Sequence, residues 1–287
     1  MPTITAVIPT YNRTGDIRLC LEHLLRQTRM PDEVIVVDDA SADDTAQVVR
    51  SFAARFANLR YVRFLTNQGQ AFARNTGFAT ASGDLILSLD DDCRLLEPNG
   101  LERAIELLDG SPTVASLALN ACVPNGNHWV APDREPFDVA VFLGGANLTR
   151  TAVLRDSGGY AQFFRGGAEE DDLCLRMLNG GHRIVATPQI IVYHAWSEAE
   201  RDWHRVRFYT HRNSLLLELC RCPARYLPFR FLATWLSHTA SHISKREWTI
   251  DFKVLAAIPP LLPLMMRERN PVSPGAYRAW RRVRRAQ

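Results

Sequence analysis

The sequence predicts an α/β protein with a Rossmann-like mixed sheet flanked by helices. Short apolar runs alternate with amphipathic helical patterns through roughly the first hundred residues, the mark of a parallel sheet with crossover helices. Three of those runs stop abruptly at polar or acidic residues, as strands do where a ligand crevice opens. A chain of 287 residues, 46% hydrophobic and 23% charged, can bury one large core or two modest ones, which excludes disordered and fibrous classes.

Residues 4–9 (ITAVIP) read as the first strand. Thr14 is placed to cap a helix whose apolar positions Ile17, Leu21, Leu24 and Leu25 keep helical spacing. Residues 33–38 (EVIVVD) form a buried strand, and Ser41 with Asp44 gives a capping-box-like start to a helix burying Val49, Phe52 and Phe56. Residues 59–65 and 85–90 (LILSLD) are the third and fourth strands. Beyond Asp92 the pattern loosens into a helix near Leu101, Ile105 and Leu108, a strand over 114–119, and a Pro, Gly and Asn-rich loop over 124–136. Regular signals return with a helix over 170–179, strands over 183–186 and 190–194, and a long helical pattern over 201–219. The expected organisation is a domain over 1–220 followed by a helical, apolar and basic extension over 221–287.

The extension is rich in Leu, Phe, Trp and Pro. Its apolar run over 254–266 falls short of the roughly 20 residues that a spanning helix needs, and Pro259, Pro260 and Pro263 break it, so no membrane crossing is expected. Net charge is +3, but residues 267–287 hold seven arginines against one acid, which leaves the rest net negative. That distribution argues against nucleic-acid binding. It points to a cationic tail behind an apolar segment, suited to an anionic membrane surface, and equally to a helical cap on the domain or a homodimer contact. The 32 arginines against two lysines are read as codon bias more than phosphate recognition. Six cysteines without paired metal-ligand spacing indicate reduced thiols and a cytoplasmic protein, peripheral on the inner membrane face if it meets a membrane at all. The N-terminus enters a strand by Ile4 with no basic and apolar leader, so neither a signal nor a transit peptide is expected.

Ligands of an open α/β sheet bind beyond the carboxyl ends of its strands. The first predicted strand ends in Pro9, Thr10, Tyr11, Asn12 and Arg13, the second in Asp38 and Asp39, and the fourth in Asp90, Asp91 and Asp92. Three acids at one strand end repel one another unless a cation or a donor-rich ligand sits among them, so Mg²⁺ or Mn²⁺ is the economical explanation. For Asp38 and Asp39 the expectation is that one closes the turn before Ser41 and the other meets a ligand donor.

These residues resemble the family 2 glycosyltransferases with the GT-A fold. The resemblance rests on AVIPTYNR at 6–13, VIVVDDAS at 34–41, NQGQAFARNTG at 67–77, LSLDDD at 87–92, GAEEDDLCLR at 167–176, His194, and His211-Arg212-Asn213. It implies an inverting, metal-dependent transfer of a sugar from a nucleoside diphosphate to an acceptor hydroxyl. The setting would be the synthesis of bacterial polysaccharide, glycolipid or another glycoconjugate. It also implies a nucleotide-binding half over 1–95 and an acceptor-binding half over 96–220. Pro9, Tyr11 and Arg13 would frame the base and ribose, with Asp39 accepting from the nucleobase. Arg74 would lie near the nucleotide and diphosphate, where a forked cation suits phosphate oxygens. Asp91 would be ribose-proximal, Asp90 a buttress, Asp92 the metal ligand and His194 its partner.

The resemblance also implies that Gly145 and Asn147, with glycines 158, 159, 166 and 167, line the acceptor side together with Glu169. The base departs from the family pattern, because Glu170 stands where an aspartate is usual. Glu170 is the expected base and Asp171 the alternative. The donor nucleotide is expected to be UDP or dTDP, with GDP next, and the acceptor a glycan, a lipid-linked sugar or a small molecule. Two rival classes remain. A sugar nucleotidyltransferase would carry a glycine-rich basic loop after the first strand, which PTYNR lacks, and a non-catalytic scaffold would explain the apolar, basic C-terminal third.

Overall fold

The computed structural model describes residues 1–195 and 202–286. The four leading parallel strands are β1 (Ile4–Thr10), β2 (Glu33–Asp38), β3 (Leu59–Arg63) and β4 (Leu85–Leu89). They are joined by the helices α1 (Thr14–Leu24), α2 (Thr45–Ser51) and α3 (Gln70–Thr80). Then come β5 (Cys93–Leu95), α4 (Gly100–Asp109), β6 (Val114–Cys122), β7 (Phe137–Asp138), β8 (Ala146–Arg150), α5 (Thr151–Asp156), α6 (Glu169–Asn179) and β9 (Arg183–His194). Among the described residues these strands make one nine-stranded sheet, in the order β3-β2-β1-β4-β8-β6-β9-β5, with β7 paired to β9. Strand β8 runs antiparallel to both β4 and β6, so the sheet is mixed.

Period-two alternation assigns the two faces. Ile4, Ala6 and Ile8 pack with Ile17, Leu21 and Leu24 of α1 and Leu101 and Leu108 of α4 on one side. Val7, Ile35 and Val37 pack with Ala73 and Phe78 of α3 and with Leu173 and Met177 of α6 on the other. Both faces are covered, which is why the central strands read as unbroken apolar runs.

Several local expectations change. Thr14 does not cap: it is the first helical residue, and its hydroxyl donates to Asp43 at 2.6 Å. Ser41 and Asp44 form no capping box, because the Ser41 hydroxyl instead accepts the Asn12 N–H at 2.9 Å and ties the ends of β1 and β2 together. Phe52 and Phe56 are buried but lie beyond the last residue of α2. Leu65 falls outside β3 and is fully exposed. The two strands expected over 183–194 are one strand, β9, with a register shift between Leu119 and Asn120 on its neighbour β6.

The C-terminal helices are α7 (Trp203–Arg221), α8 (Leu227–Ser244), α9 (Thr249–Ala257), a short 3₁₀ turn at Pro259–Leu261, α10 (Leu262–Glu268) and α11 (Pro274–Ala286). The expected start of α7 at Arg201 lies outside the described residues. Leu216 and Cys220 of α7 join Met265, Tyr277 and Trp280 in a core that seats α10 and α11 on α6 and α7. The prolines interrupt the apolar run over 254–266 as expected: α9 ends at Ala257, Pro259 and Pro260 open the 3₁₀ turn, and Pro263 lies in the first turn of α10. Taken together, Thr249–Glu268 spans 20 residues and, by length and composition only, is apolar enough to cross a membrane.

Candidate active site

The ends of β1, β2 and β4 and the start of α3 wall a cleft of about 970 Å³. Pro9, Tyr11, Arg13, Asp39, Asn67, Gln70, the three aspartates 90–92 and His194 all line it. Asn12 helps shape the rim from a left-handed conformation (φ 53), with its side-chain Oδ1 accepting the Ala42 N–H at 2.7 Å. Asp38 takes the turn role: it is fully buried, accepts from Ser41 N at 2.7 Å and pairs with the Tyr61 hydroxyl. Asp39 faces the cleft, but its carboxylate does not wait for a ligand. It accepts the backbone N–H groups of Gln68 at 2.6 Å and Gly69 at 2.8 Å, and so caps the N-terminus of α3 from a distant strand end. A carboxylate has further lone pairs, so Asp39 can accept a ligand donor in addition.

Across the cleft stand the acids. The Arg13 guanidinium donates to Asp92 at 2.7 Å and lies 3.9 Å from Asp91. His194 Nε2 is 3.3 Å from Asp92 Oδ1. Burial opposes ionisation of Asp92, but His194 and Arg13 hold it below the ordinary carboxylate range. Asp91 has burial and two neighbouring acids against it and is pushed up to about 7, despite Arg13. The register of β5 on β9 sets Cys93 opposite His194, so Asp90, Asp92, Cys93 and His194 offer ligand atoms that all lie within 4.8 Å of one another. Burial raises the Cys93 thiol well above its ordinary value; beside it stand two carboxylates and an imidazole. That oxygen-rich set fits Mg²⁺ or Mn²⁺.

A smaller cavity of about 140 Å³ adjoins the cleft and shares Gln70, Asp90 and His194 with it. Arg74, Gly144, Gly145 and Glu170 line it. Arg74 is not a solvated helix residue. It is 2% exposed, pairs with Asp90 and sits 5.8 Å over the Tyr160 ring. Gln70 donates to the same Asp90 carboxylate at 2.8 Å, so Asp90 is held by two α3 side chains one turn apart.

The close packing here explains the glycines: a Cβ on Gly145 would collide with the Asp90 side chain, and one on Gly144 would sit 2.6 Å from Glu170 Oε1. Burial, followed by the Glu169 charge, pushes Glu170 up to about 7, while Arg74 pulls the other way. Glu169 is also raised, chiefly by burial, and its carboxylate accepts the Gly167 N–H at 2.8 Å.

Asp171, the alternative base, points elsewhere: it pairs with Arg284 of α11 and lines neither cavity. Asp172 is a buried anchor between Arg176 and Arg221. Asn147, expected at the acceptor, is 3% exposed, and its amide donates to the carbonyls of Leu143 and Gly144. It shapes the 143–144 turn and has no donor left for a ligand. Glycines 158, 159, 166 and 167 all adopt positive φ, which is turn chemistry.

Sequence reasoning assigned no role to three residues. Gln70 sits inside the quoted NQGQ segment, and its helical offset from Arg74 was the available signal. Cys93 becomes visible only through strand pairing. Asn213 donates to the Arg165 and Gly167 carbonyls at 3.1 and 2.6 Å and so latches the loop that delivers Glu169 and Glu170.

Comparison with known proteins gives the family and the fold. The glycosyl transferase family 2 model matches residues 5–170, and the chain belongs to that family. Glycosyltransferase AglE of Haloferax volcanii is 34% identical over 113 residues, covering 39% of this chain and 37% of that protein. The pre-mycofactocin glycosyltransferase of Mycobacterium tuberculosis is 29% identical over 216 residues, covering 70% and 44%. The chain thus spans less than half the length of these curated relatives. Staphylococcus aureus TarS in complex with UDP-GlcNAc superposes with a TM-score of 0.65 at 20% identity, covering 99% of this chain and 91% of that one. The mannosyltransferase PcManGT of Pyrobaculum calidifontis, in complex with GDP-Man and Mn²⁺, gives 0.63 at 22% identity, covering 99% and 83%. The fold is GT-A, a mixed sheet flanked by helices with a helical C-terminal region.

Proposed function

We propose that this protein is an inverting glycosyltransferase that moves a sugar from a nucleoside diphosphate to an acceptor hydroxyl, with Glu170 as the base. The observation that carries this reading is the shared wall. The acid and histidine cluster opens on the larger cleft, Glu170 opens on the smaller cavity, and Gln70, Asp90 and His194 belong to both. A diphosphate beside Asp92 and a hydroxyl beside Glu170 would then flank one anomeric carbon, as an in-line displacement requires.

Glu170 takes the acceptor proton at its carboxylate, while Arg74 and Gln70 hold Asp90 in place. Asp92 and His194, with Asp90, would hold Mn²⁺ or Mg²⁺, which supplies counter-charge to the departing diphosphate. UDP and GDP donors are both supported by the TarS and PcManGT complexes, and dTDP is the remaining option. The acceptor is a growing glycan, a lipid-linked sugar or a small molecule, in the synthesis of polysaccharide, glycolipid or another glycoconjugate.

Incubation with a panel of nucleotide sugars and Mn²⁺, with the product's anomeric configuration read by NMR, tests the reading. Transfer with inversion supports it; retention, or transfer indifferent to EDTA, overturns it. Absence of both transfer and metal-dependent donor hydrolysis would favour a non-catalytic nucleotide-sugar-binding scaffold.

A second proposal concerns the C-terminal helices. Phe229, Leu232, Leu236 and Ile243 of α8, Phe252 of α9 and Met266 of α10 are all more than half exposed. The arginine-rich α11 follows them. Exposed apolar side chains beside a cationic helix fit an anionic lipid surface, on the cytoplasmic face where sugar nucleotides are made.

A further inference from the structure

A second cluster of ligand-type side chains lies away from the donor cleft, where α7, α8 and α9 meet. His211 comes from α7, His238, Thr239 and His242 from α8, and Asp251 from α9. His242 Nδ1 is 3.0 Å and His211 Nδ1 3.3 Å from the same oxygen, Asp251 Oδ1. The Thr239 hydroxyl donates to that oxygen at 3.0 Å. His238 stacks on His211 with centroids 4.7 Å apart.

As a purely hydrogen-bonded group the cluster is poorly satisfied. His211 is 0% exposed, yet among the described residues neither of its ring nitrogens has a hydrogen-bond partner, and the second oxygen of Asp251 is also buried without one. Unpaired buried polar atoms of this kind each cost roughly 1–3 kcal/mol. Three groups crowd one oxygen while the other is idle, which is not how a carboxylate distributes hydrogen bonds.

We propose that His211, His242 and Asp251 form a binding site for a zinc-type divalent transition-metal ion, separate from the donor-site cation. Ligand atoms of these three residues lie within 4.8 Å of one another. The 3.3 Å separation matches the edge, about 3.3 Å, of a tetrahedron with bonds of 2.0–2.1 Å, and the 3.0 Å separation is shorter than that edge by about 0.3 Å. Two imidazoles and one carboxylate select zinc or a neighbouring transition metal over Mg²⁺, whereas the donor-site set is richer in oxygen. Metal binding would displace any proton shared between His242 and Asp251 to solvent. The ion would pin α8 and α9 to α7, the helix whose Asn213 latches the Glu169–Glu170 loop.

The test uses the full chain without a histidine tag, in an Asp92→Asn, His194→Gln background that removes two of the donor-site ligands. The protein is stripped with EDTA and titrated with Zn²⁺, followed by elemental analysis and thermal melting. One bound equivalent and a rise of several degrees in Tm are expected, with His242→Gln and Asp251→Asn weakening binding at least about a hundredfold. Failure of the stripped protein to take up zinc, or equal uptake by both variants, overturns the proposal. Should the variants not fold, the Co²⁺-loaded parent decides: a tetrahedral nitrogen and oxygen d–d spectrum supports the site, and an octahedral spectrum or none refutes it. Because no readout uses glycosyl transfer, failure here leaves the proposed activity standing.

Discussion

His194 Nε2 lies 3.3 Å from Asp92 Oδ1, although 102 positions of sequence separate the two residues. The pairing of β5 with β9 creates this contact: Asp92 immediately precedes β5, and His194 is the last residue of β9. Replacing Asp92 by Asn should reduce transfer by about two to three orders of magnitude and abolish stabilisation by Mn²⁺ plus nucleoside diphosphate. Replacing His194 by Gln should weaken apparent Mn²⁺ affinity about 10- to 100-fold with a smaller effect at saturating metal. Metal titrations of initial rate distinguish the two outcomes.

Removal of the proposed base, Glu170, should separate function from stability. Glu170→Gln is expected to lower the transfer rate by about 10²- to 10⁴-fold, with nucleotide affinity by thermal shift unchanged. Because burial and Glu169 raise the Glu170 carboxyl, its protonated form favours the folded state. That contribution is complete below the unfolded value, near 4.5, and is lost as pH rises through about 7. The glutamine variant should therefore melt no lower than the parent at pH 8. Parent activity should climb as pH rises from 6 to 8, and a flat profile would remove Glu170 from the base role.

Asn213→Ala tests the latch on the preceding loop. It removes both bonds to the Arg165 and Gly167 carbonyls, so kcat should fall about tenfold or more with little change in donor KM, since no donor-cleft residue is touched. A change confined to KM would show that the loop serves the donor and not the base.

Gly145→Ala places a methyl against Asp90 and should displace the carboxylate that Gln70 and Arg74 hold. Loss of Mn²⁺-dependent activity with a Tm decrease of a few degrees is expected. Retention of full metal dependence would mean that Asp90 has slack and is not a positioned ligand.

Vesicle binding tests the C-terminal face. Co-sedimentation with phosphatidylglycerol vesicles, but not with neutral ones, is expected, and it should fall at least tenfold when Phe229 and Phe252 are both replaced by Ser. Concentration-dependent dimerisation that the same double variant abolishes, without vesicle binding, would assign the face to a second copy of the chain.

The leading strands were legible from sequence, because burial on both faces writes continuous apolar runs: 33–38 coincides with β2, and 85–90 exceeds β4 by one residue. The place of the acids 90–92 on the cleft wall was legible for the same local reason: charge follows an apolar run at a strand end. Caps at Thr14 and Ser41 were misread, because Asp43 and Asn12, each approaching from another element, compete for those hydroxyl and backbone groups. What the sequence alone determined was the sheet, the acidic strand end and the candidacy of Glu170. Only tertiary structure decided that Asp171 turns to Arg284, that Asn147 spends its amide on a turn, and that Arg74 is buried on Asp90. The physical reason is that the direction of a side chain on a helix or strand is set by local periodicity, whereas its partner is set by which distant element packs against that face.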